Sequence, residues 1–553
     1  MSSSSFQLHL SVQEQERAAK LEDFNAELTR THDAITVLLR RCALINRERN
    51  AILPAINLPP EVLATIIEFF CFSEGGHDED DYTSTALFSP DYEPREGNHF
   101  TTFIGKAYWK SFREHNDDRV DIPRPLLIGR VCSKWRQVVQ SASHLWTGIT
   151  LTVNVTHARQ QAAVLRYWLS RSGQRVLNVG LRDGRKVPGY YDADEKDMPI
   201  AVIQVLCSYA HRLRTVELFP TETWAPILTQ FASKASILTR LVLHSSVYRY
   251  YSHRFDFFAQ APLLQDVTLF GKRHDFFTTS LPEQIERLTF SHSNDRDPIE
   301  NLRLYPHLLY CHHMLDPQFP LWSVLMPLTH ATLQQLRVTV LSIANAETLF
   351  GALTLPNLRS FKLSLLQDVA GAAVPIVPSL LPFFTRSACA LQTLHICGVV
   401  IPEHDLAACL RAFPTLRDLR LENSTRAGRI SARILDLMNP RKVKHRCLIG
   451  NGVGSHSVPN EQCLLPNLET FFYKGGLPFK FPVFVEFLAD RWDFQHDETS
   501  TDGQLLLNTP VARLRKAVLK VEFTKTVDTN NPTLRRLVEE GMDIAIVKTK
   551  LPK

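Results

Sequence analysis

Several patterns are missing from this 553-residue chain, and each absence removes a class of protein. No C-x-x-C pair occurs among its ten cysteines, Cys42, Cys71, Cys132, Cys207, Cys311, Cys389, Cys397, Cys409, Cys447 and Cys463. They are scattered, many beside apolar neighbours as in Val131-Cys132 and Ala408-Cys409, which is the pattern of reduced thiols packed as small hydrophobes in an intracellular protein. No apolar run reaches membrane length: residues 369–384 come nearest, but the stretch is short and carries Pro375, Pro378 and Pro382. The opening Met1-Ser2-Ser3-Ser4-Ser5-Phe6-Gln7 has neither the basic start nor the apolar core of a signal peptide. Charge of one sign is not in excess: 62 Lys and Arg against 57 Asp and Glu leave +5, too dilute for a nucleic-acid partner.

Enzyme signatures are equally scarce. There is no G-x-S-x-G elbow and no P-loop lysine motif. Gly450-Asn451-Gly452-Val453-Gly454 follows a strand-like Cys447-Leu448-Ile449, but Ser455-His456-Ser457-Val458-Pro459 comes next instead of the helix a phosphate loop needs, so the segment reads as a flexible loop. His312-His313 beside Cys311 lacks a second ligand pair at zinc spacing and reads as ordinary surface or core. The acidic run His77-Asp78-Glu79-Asp80-Asp81 lacks the glycine and distal glutamate of a calcium loop. The expectation is a non-enzyme with no cofactor and no metal, acting on neither nucleic acid nor membrane.

What the chain does contain begins with a heptad pattern over residues 18–52. Leu21, Leu28, Ile35, Cys42 and Arg49 fall at one seam position, and Phe24, Thr31, Leu38, Ile45 and Ile52 at the other, eight of the ten apolar, which predicts one long amphipathic helix. Such a helix either pairs as a coiled coil or lays its stripe on the chain's own body. Pro54 and Asn57-Leu58-Pro59-Pro60 end it and start another over residues 61–70, whose Val62, Leu63, Ile66, Ile67 and Phe70 share a face. Residues 71–123 lose the period and read as an acidic insertion loop. A helical pattern returns from Arg124, through Val131, Trp135, Val138 and Ala142, to Leu145-Trp146, with a strand-like Ile149-Thr150-Leu151-Thr152-Val153 beyond. Three regions follow: 1–53 as the long helix, 54–147 as a helical module with an insertion, and 148–553 as the remainder.

Beyond residue 200 a motif, apolar-x-x-apolar-x-apolar, recurs nine times, at Leu213, Leu238, Leu264, Ile285, Leu333, Leu358, Leu391, Leu416 and Leu468. The steps are 25, 26, 21, 48, 25, 33, 25 and 52, so the two long ones leave room for degenerate units; Val443-x-x-Arg446-x-Leu448 is a weak fit to the second. Pro262, Pro356, Pro414 and Pro466 stand two residues ahead of their motifs, where proline ends a helix and enters a strand. Strand plus helix at about 25 residues is the unit of a leucine-rich repeat. The predicted fold class is therefore α/β, an irregular leucine-rich-repeat solenoid or horseshoe preceded by a helical module and the long helix. Residues 534–540, Gly541 and Ile544-Ala545-Ile546-Val547 read as its closing helix, stop and strand.

Leu58-Pro59-Pro60-Glu61-Val62-Leu63-Ala64-Thr65-Ile66-Ile67 resembles the opening of an F-box. Val131-Cys132-Ser133-Lys134-Trp135-Arg136-Gln137-Val138-Val139, with Leu145-Trp146, resembles its closing half. In layout the chain resembles fungal F-box proteins with C-terminal leucine-rich repeats; about fifty inserted residues separate the two halves here, and loop-closure cost grows slowly enough to allow it. The resemblance implies a substrate receptor of a Skp–cullin–F-box ubiquitin ligase. On that reading Leu58, Pro59, Pro60, Ile66, Val131, Cys132 and Trp135 meet a Skp-family adaptor and through it a cullin, while the repeats hold a target protein. The alternative is a repeat-based interaction scaffold with no role in ubiquitin transfer. The implied location is cytoplasmic; Arg441-Lys442-Val443-Lys444-His445-Arg446 is either a nuclear signal or a basic loop.

Between the last two apolar positions of each motif one side chain should point to the concave face. In order these are Glu217, Val242, Thr268, Thr289, Arg337, Lys362, His395, Arg420 and Phe472. Arg337, Lys362, His395 and Arg420 would form a positive ladder for an acidic or phosphorylated segment of the partner, or a solvated face whose charges cancel, as Asp418 beside Arg420 suggests.

Overall fold

The computed structural model describes residues 3–52, 58–72, 124–153, 157–183, 200–218, 224–232, 234–244, 258, 260–270, 281–290, 298–315, 326–340, 343–365, 377–399, 401–422, 431–450, 462–476, 479–497, 511–522 and 529–549. The chain divides into two compact units, one from 1–77, 119–147 and 170–175, the other including 148–169 and 176–553.

The first unit is helical. A helix runs from Ser3 to Ile52, well beyond the heptad stretch, and its seam residues Leu21, Phe24, Leu28, Ile35, Leu38 and Ile45 are all exposed. Pro60 opens the next helix, Pro60–Phe72, at the position where its missing N–H costs nothing. Arg124–Ile128 and Ser133–Ser141 both pack on it. The sequence pattern reads through this pair as one helix; the structure breaks it at Gly129-Arg130-Val131-Cys132. Cys132 is fully extended there (φ −160°, ψ 175°), and its Sγ accepts the Trp135 N–H at 3.5 Å, capping the second helix. A side chain at position 129 would crowd Pro125 O at 3.3 Å, which suits glycine at the break. Leu63, Ile67, Val139, Leu145 and Trp146 form the core, and Trp146 Nε1 donates to Val139 O at 2.8 Å. Trp146 is thus an intrachain anchor. Of the expected insertion, Cys71 and Phe72 belong to helix Pro60–Phe72 and 73–123 lie outside the described residues.

The second unit is built on a parallel sheet. Its strands are β1 (Gly148–Val153), β2 (Leu177–Asp183), β3 (Leu213–Leu218), β4 (Arg240–His244), β5 (Asp266–Phe270), β6 (Arg287–Phe290), β7 (Tyr310–Leu315), β9 (Gln335–Val340), β11 (Ser360–Leu365), β12 (Thr393–Cys397), β13 (Asp418–Glu422), β14 (Thr470–Gly475), β15 (Lys516–Glu522) and β16 (Asp543–Thr549). They pair in chain order, so the sheet is long, open and α/β in class. Two short strands, β8 (Leu328–Thr329) and β10 (Leu353–Thr354), pair separately.

Register explains the repeat. The middle apolar residue of each motif stacks on its counterpart, from Val216 on Leu241 through Phe361 on Leu394 to Phe471 on Ala517. Each such residue is removed from water, a contribution of about 1.5–3 kcal/mol for a large side chain. Phe361 packs against Phe350 of helix Ile343–Ala352 and against Phe383 and Phe384 of helix Val377–Ser387. Phe471 does the same with Phe484 and Phe487 of helix Phe481–Asp497. The helices therefore cover the face carrying the apolar rows.

A polar ladder joins successive turns of the sheet unit. The residue just before the first apolar position donates a side-chain hydrogen bond to backbone of the preceding turn. Gln284 reaches Ala261 O, Thr332 reaches Leu308 O, Asn357 reaches Ala331 O, Thr415 reaches Leu391 O and Asn467 reaches Pro414 O, at 2.6 to 3.1 Å.

All nine motifs lead into strands, and the 48-residue step holds one more, β7, in which Cys311 and His313 occupy the apolar slots. The 52-residue step differs from expectation. Helices Ala432–Met438 and Pro440–Gly450 fill it, so Val443, Arg446 and Leu448 are helical, as are the strand-like Cys447, Leu448 and Ile449, and β13 pairs directly with β14. The reason is a polar knot from helix Phe481–Asp497. The fully buried Arg491 donates to Met438 O (2.8 Å), Leu464 O (3.0 Å) and Leu465 O (2.8 Å), while Asp490 accepts from Asn439 Nδ2 and Arg441. The first two residues of the basic run are likewise engaged, Arg441 with Asp490 and Lys442 with Asp436 and Glu486. The Gly-rich loop lies beyond the described residues from position 451 onward. At the C-terminus Gly541 (φ +100°) ends helix Pro532–Glu539, and Met542 N–H returns to Leu537 O at 2.9 Å, closing the turn ahead of β16.

Candidate functional site

In the helical unit, the residues of the F-box resemblance divide by exposure. Pro59, Pro60, Ile66 (43%) and Val131 (53%) face solvent; Leu58, Cys132 and Trp135 are half-buried. Lys134 Nζ donates to Leu58 O at 3.0 Å and Leu63 N–H to Pro59 O at 3.0 Å, so the Leu-Pro corner is tied to both helical halves. Trp135 Nε1 is buried without a hydrogen-bond partner among the described residues. The single apolar face read for residues 61–70 is in fact two. Leu63 and Ile67, one turn apart, point into the core, while Val62, Ile66, Phe69 (74%) and Phe70 look outward. Leu127 joins them. Phe69 and Leu127 carry no motif signal; only a helical wheel drawn around the buried pair would have found Phe69.

On the sheet, the positions between the apolar rows stack on the face opposite the helices. Arg337 pairs in register with Lys362, Lys362 with His395, and His395 with Arg420, so the four residues expected to form a ladder are consecutive neighbours. His312 on β7 extends the row before Arg337, a residue that motif reading missed because β7 has degenerate apolar slots. Neighbouring strands lie about 4.8 Å apart, which brings these groups within mutual influence.

Most of the row is closed by internal partners. Arg420 makes a forked pair with Asp418 (Nη2 to Oδ2 2.8 Å). His395 Nε2 donates to Glu422 Oε1 at 3.0 Å, and burial pushes its pKa down to about 4, so it is neutral at pH 7. The same diagonal, from a row residue to the next strand, recurs as His312 to Thr339 at 3.1 Å and, with roles exchanged, His244 to Glu217 at 2.9 Å. Burial likewise holds His312 well below its ordinary value. Of the four basic candidates, Arg337 and Lys362 have no carboxylate within ion-pair distance among the described residues. Arg337 lies over the Tyr310 ring at 5.4 Å. Lys362 is only 8% exposed, and burial, reinforced by Arg337, pushes its pKa down to about 8.

Cys311 and His313 are core groups: both are buried, and the His313 ring stacks on Phe290 at 4.6 Å. Among the described residues no three His, Cys, Asp or Glu side chains converge as metal ligands, and no helix is long and apolar enough to cross a membrane. No family model matches the chain, and no curated protein matches its sequence.

Proposed function

We propose that the chain is a substrate receptor of a Skp–cullin–F-box ubiquitin ligase, its helical unit docking on the Skp-family adaptor and its sheet unit, read as an irregular leucine-rich-repeat solenoid, holding a target protein. The observation that carries the reading is the exposed apolar set of the helical unit: Val62, Ile66, Phe69 and Phe70 on one helix, with Leu127 and Val131 also exposed in the same unit. A module of this size buries too little of its own apolar surface, and large exposed apolar groups beside a Leu-Pro corner suit a partner groove. The F-box motif residues coincide with this set at Ile66 and Val131. The chain performs no chemistry on this reading; it raises the local concentration of a target near the ligase.

The test is adaptor capture by the full chain. Replacing Ile66 and Val131 together by Asp alters exposed positions, so the fold should persist while capture of a purified Skp adaptor falls by about thirtyfold or more. The double variant Leu58→Ala, Pro59→Ala should lose capture too. Full capture by the folded Asp variant would refute the docking. If the adaptor is captured but no cullin co-purifies from cells, the chain is instead an interaction scaffold outside ubiquitin transfer.

A further inference from the structure

The row on the sheet face leaves three donors unused, and they adjoin one another. Lys362 sits at the centre, nine-tenths buried, with neither a hydrogen bond nor an ion pair among the described residues. Ser364, two residues along β11 and on the same face, is 3% exposed, and its Oγ has no hydrogen-bond partner among the described residues. Arg337, the register neighbour of Lys362 on β9, is half-buried, lies over the Tyr310 ring at 5.4 Å, and makes no hydrogen bond or ion pair among the described residues. Buried donors of this kind are costly: an unmade hydrogen bond at a buried polar atom forfeits about 1–3 kcal/mol, and a buried ammonium without a counter-ion costs more. The neighbouring positions show what the same sheet does when closure is the only requirement. Arg420 receives Asp418, His395 receives Glu422, and His312 receives Thr339. At Lys362 no acid comes within ion-pair distance among the described residues; the Glu422 carboxylate that acts on it from farther away is already bonded to His395.

We infer that Arg337, Lys362 and Ser364 form a recognition site for a phosphate-monoester dianion. Two positive groups match the dianion's charge, where a single carboxylate would leave one cation uncompensated in a buried place. The guanidinium offers a forked pair of N–H donors to two oxygens, the ammonium a third contact, and the serine hydroxyl a fourth donor suited to a tetrahedral group. Arg420 lies outside the site, because Asp418 already occupies its fork. Glu422 borders it: its carboxylate acts on Lys362, while it is held by His395 and faces Lys474 at 3.5 Å. The inference rests on the receptor reading only for the source of the phosphate, a phosphorylated side chain of the target; the alternative source is a free phosphate ester.

Titration calorimetry on the full-length chain tests it with three probes: inorganic phosphate, O-phosphoserine, and a short phosphoserine peptide with its unphosphorylated and glutamate counterparts. Saturable binding of phosphate and phosphoserine is expected, weakened about tenfold by Arg337→Gln and by Ser364→Ala and abolished by Lys362→Met. Arg420→Gln should change it less than threefold. Loss in Lys362→Met cannot be blamed on unfolding, since removing an uncompensated buried charge should leave the fold intact or firmer, as a thermal melt will show. The peptide arm identifies the source: tighter binding of the phosphopeptide than of free phosphoserine marks a protein target, and equal binding a soluble ester. The glutamate peptide should bind at least about tenfold more weakly. Absence of saturable phosphate and phosphopeptide binding by the folded wild type, or binding that Lys362→Met leaves unchanged, overturns the inference. Adaptor capture by these variants should be unaffected, so failure here is distinguishable from failure of the docking.

Discussion

The helical unit and the sheet unit face opposite problems. The helical unit has apolar side chains that its few helices cannot cover: Leu63 and Ile67 are inside, but Val62, Ile66, Phe69 and Phe70 on the same helix are not. The sheet unit has apolar surface enough for its own core and instead brings polar groups into register, closing His312 and His395 from the next strand and Arg420 with Asp418 of its own strand. One unit leaves hydrophobic area over, the other leaves donors over at Arg337, Lys362 and Ser364. Each surplus points to a ligand of its own chemistry, an apolar groove for the first and an anion for the second.

Replacements that leave the sheet unit's polar closure half-made should cost most. Arg491→Leu strands the carbonyls of Met438, Leu464 and Leu465 and should destabilise the sheet unit by about 3–5 kcal/mol in denaturant unfolding. A cost under about 1 kcal/mol would mean that the helical insert needs no polar knot. In the helical unit, Leu63→Ala should cost about 2–4 kcal/mol, whereas Ile66→Ala, one turn fraction away, should cost under about 1 kcal/mol and act on adaptor capture instead. Equal stability losses would erase the distinction between its two apolar stripes.

Next in size are the titrating groups. Lys362 has a folded pKa of about 8 against 10.5 for the unconstrained side chain. Below pH 8 both states bind the proton and stability is flat; above it the unfolded chain holds more protons, so stability rises toward pH 10.5. Lys362→Met should remove that rise and add on the order of 2 kcal/mol at pH 7. His395, at about 4 against 6.5, works at the acid end: between those values the unfolded state binds more protons, so stability is lost as pH falls. Thermal melts across pH 4–7 should show a shallower decline in His395→Gln. Smaller still, Asn467→Ala and Thr332→Val should each cost about 1 kcal/mol, by loss of one bond in the ladder between units. Leu28→Gln, on the exposed seam of helix Ser3–Ile52, should change stability by less than about 0.5 kcal/mol. A larger loss that grows with protein concentration, followed by sedimentation, would show that a second copy covers that seam.

Much of the sheet was readable in advance because its signal is local. A buried strand must place apolar groups at fixed offsets, so Leu241-x-Leu243 and Leu419-x-Leu421 announce themselves whatever lies beside them. β7 was hidden because Cys311 and His313 replace leucines, and β15 because Ala517 stands at the central position of Leu514-x-x-Ala517-x-Leu519. The helical insert was misread as a weak repeat because its cause, Arg491, lies some fifty residues away from Met438 in sequence. In the helical unit the motif residues were legible as a set, but whether Ile66 or Ile67 faced water depended on where the second helical half packed.

The ladder of basic residues divides in the same way. That Arg337, Lys362, His395 and Arg420 each stand between two apolar residues follows from the chain alone, since alternation along a strand puts every second side chain on one face. That the four are consecutive neighbours, that Glu422 engages His395, and that Lys362, Arg337 and Ser364 remain without hydrogen-bond or ion-pair partners among the described residues was decided by tertiary structure alone. The physical reason is range: periodicity is a property of one strand, whereas the pairing of a buried charge depends on which side chain the next strand brings within about 3–4 Å of it.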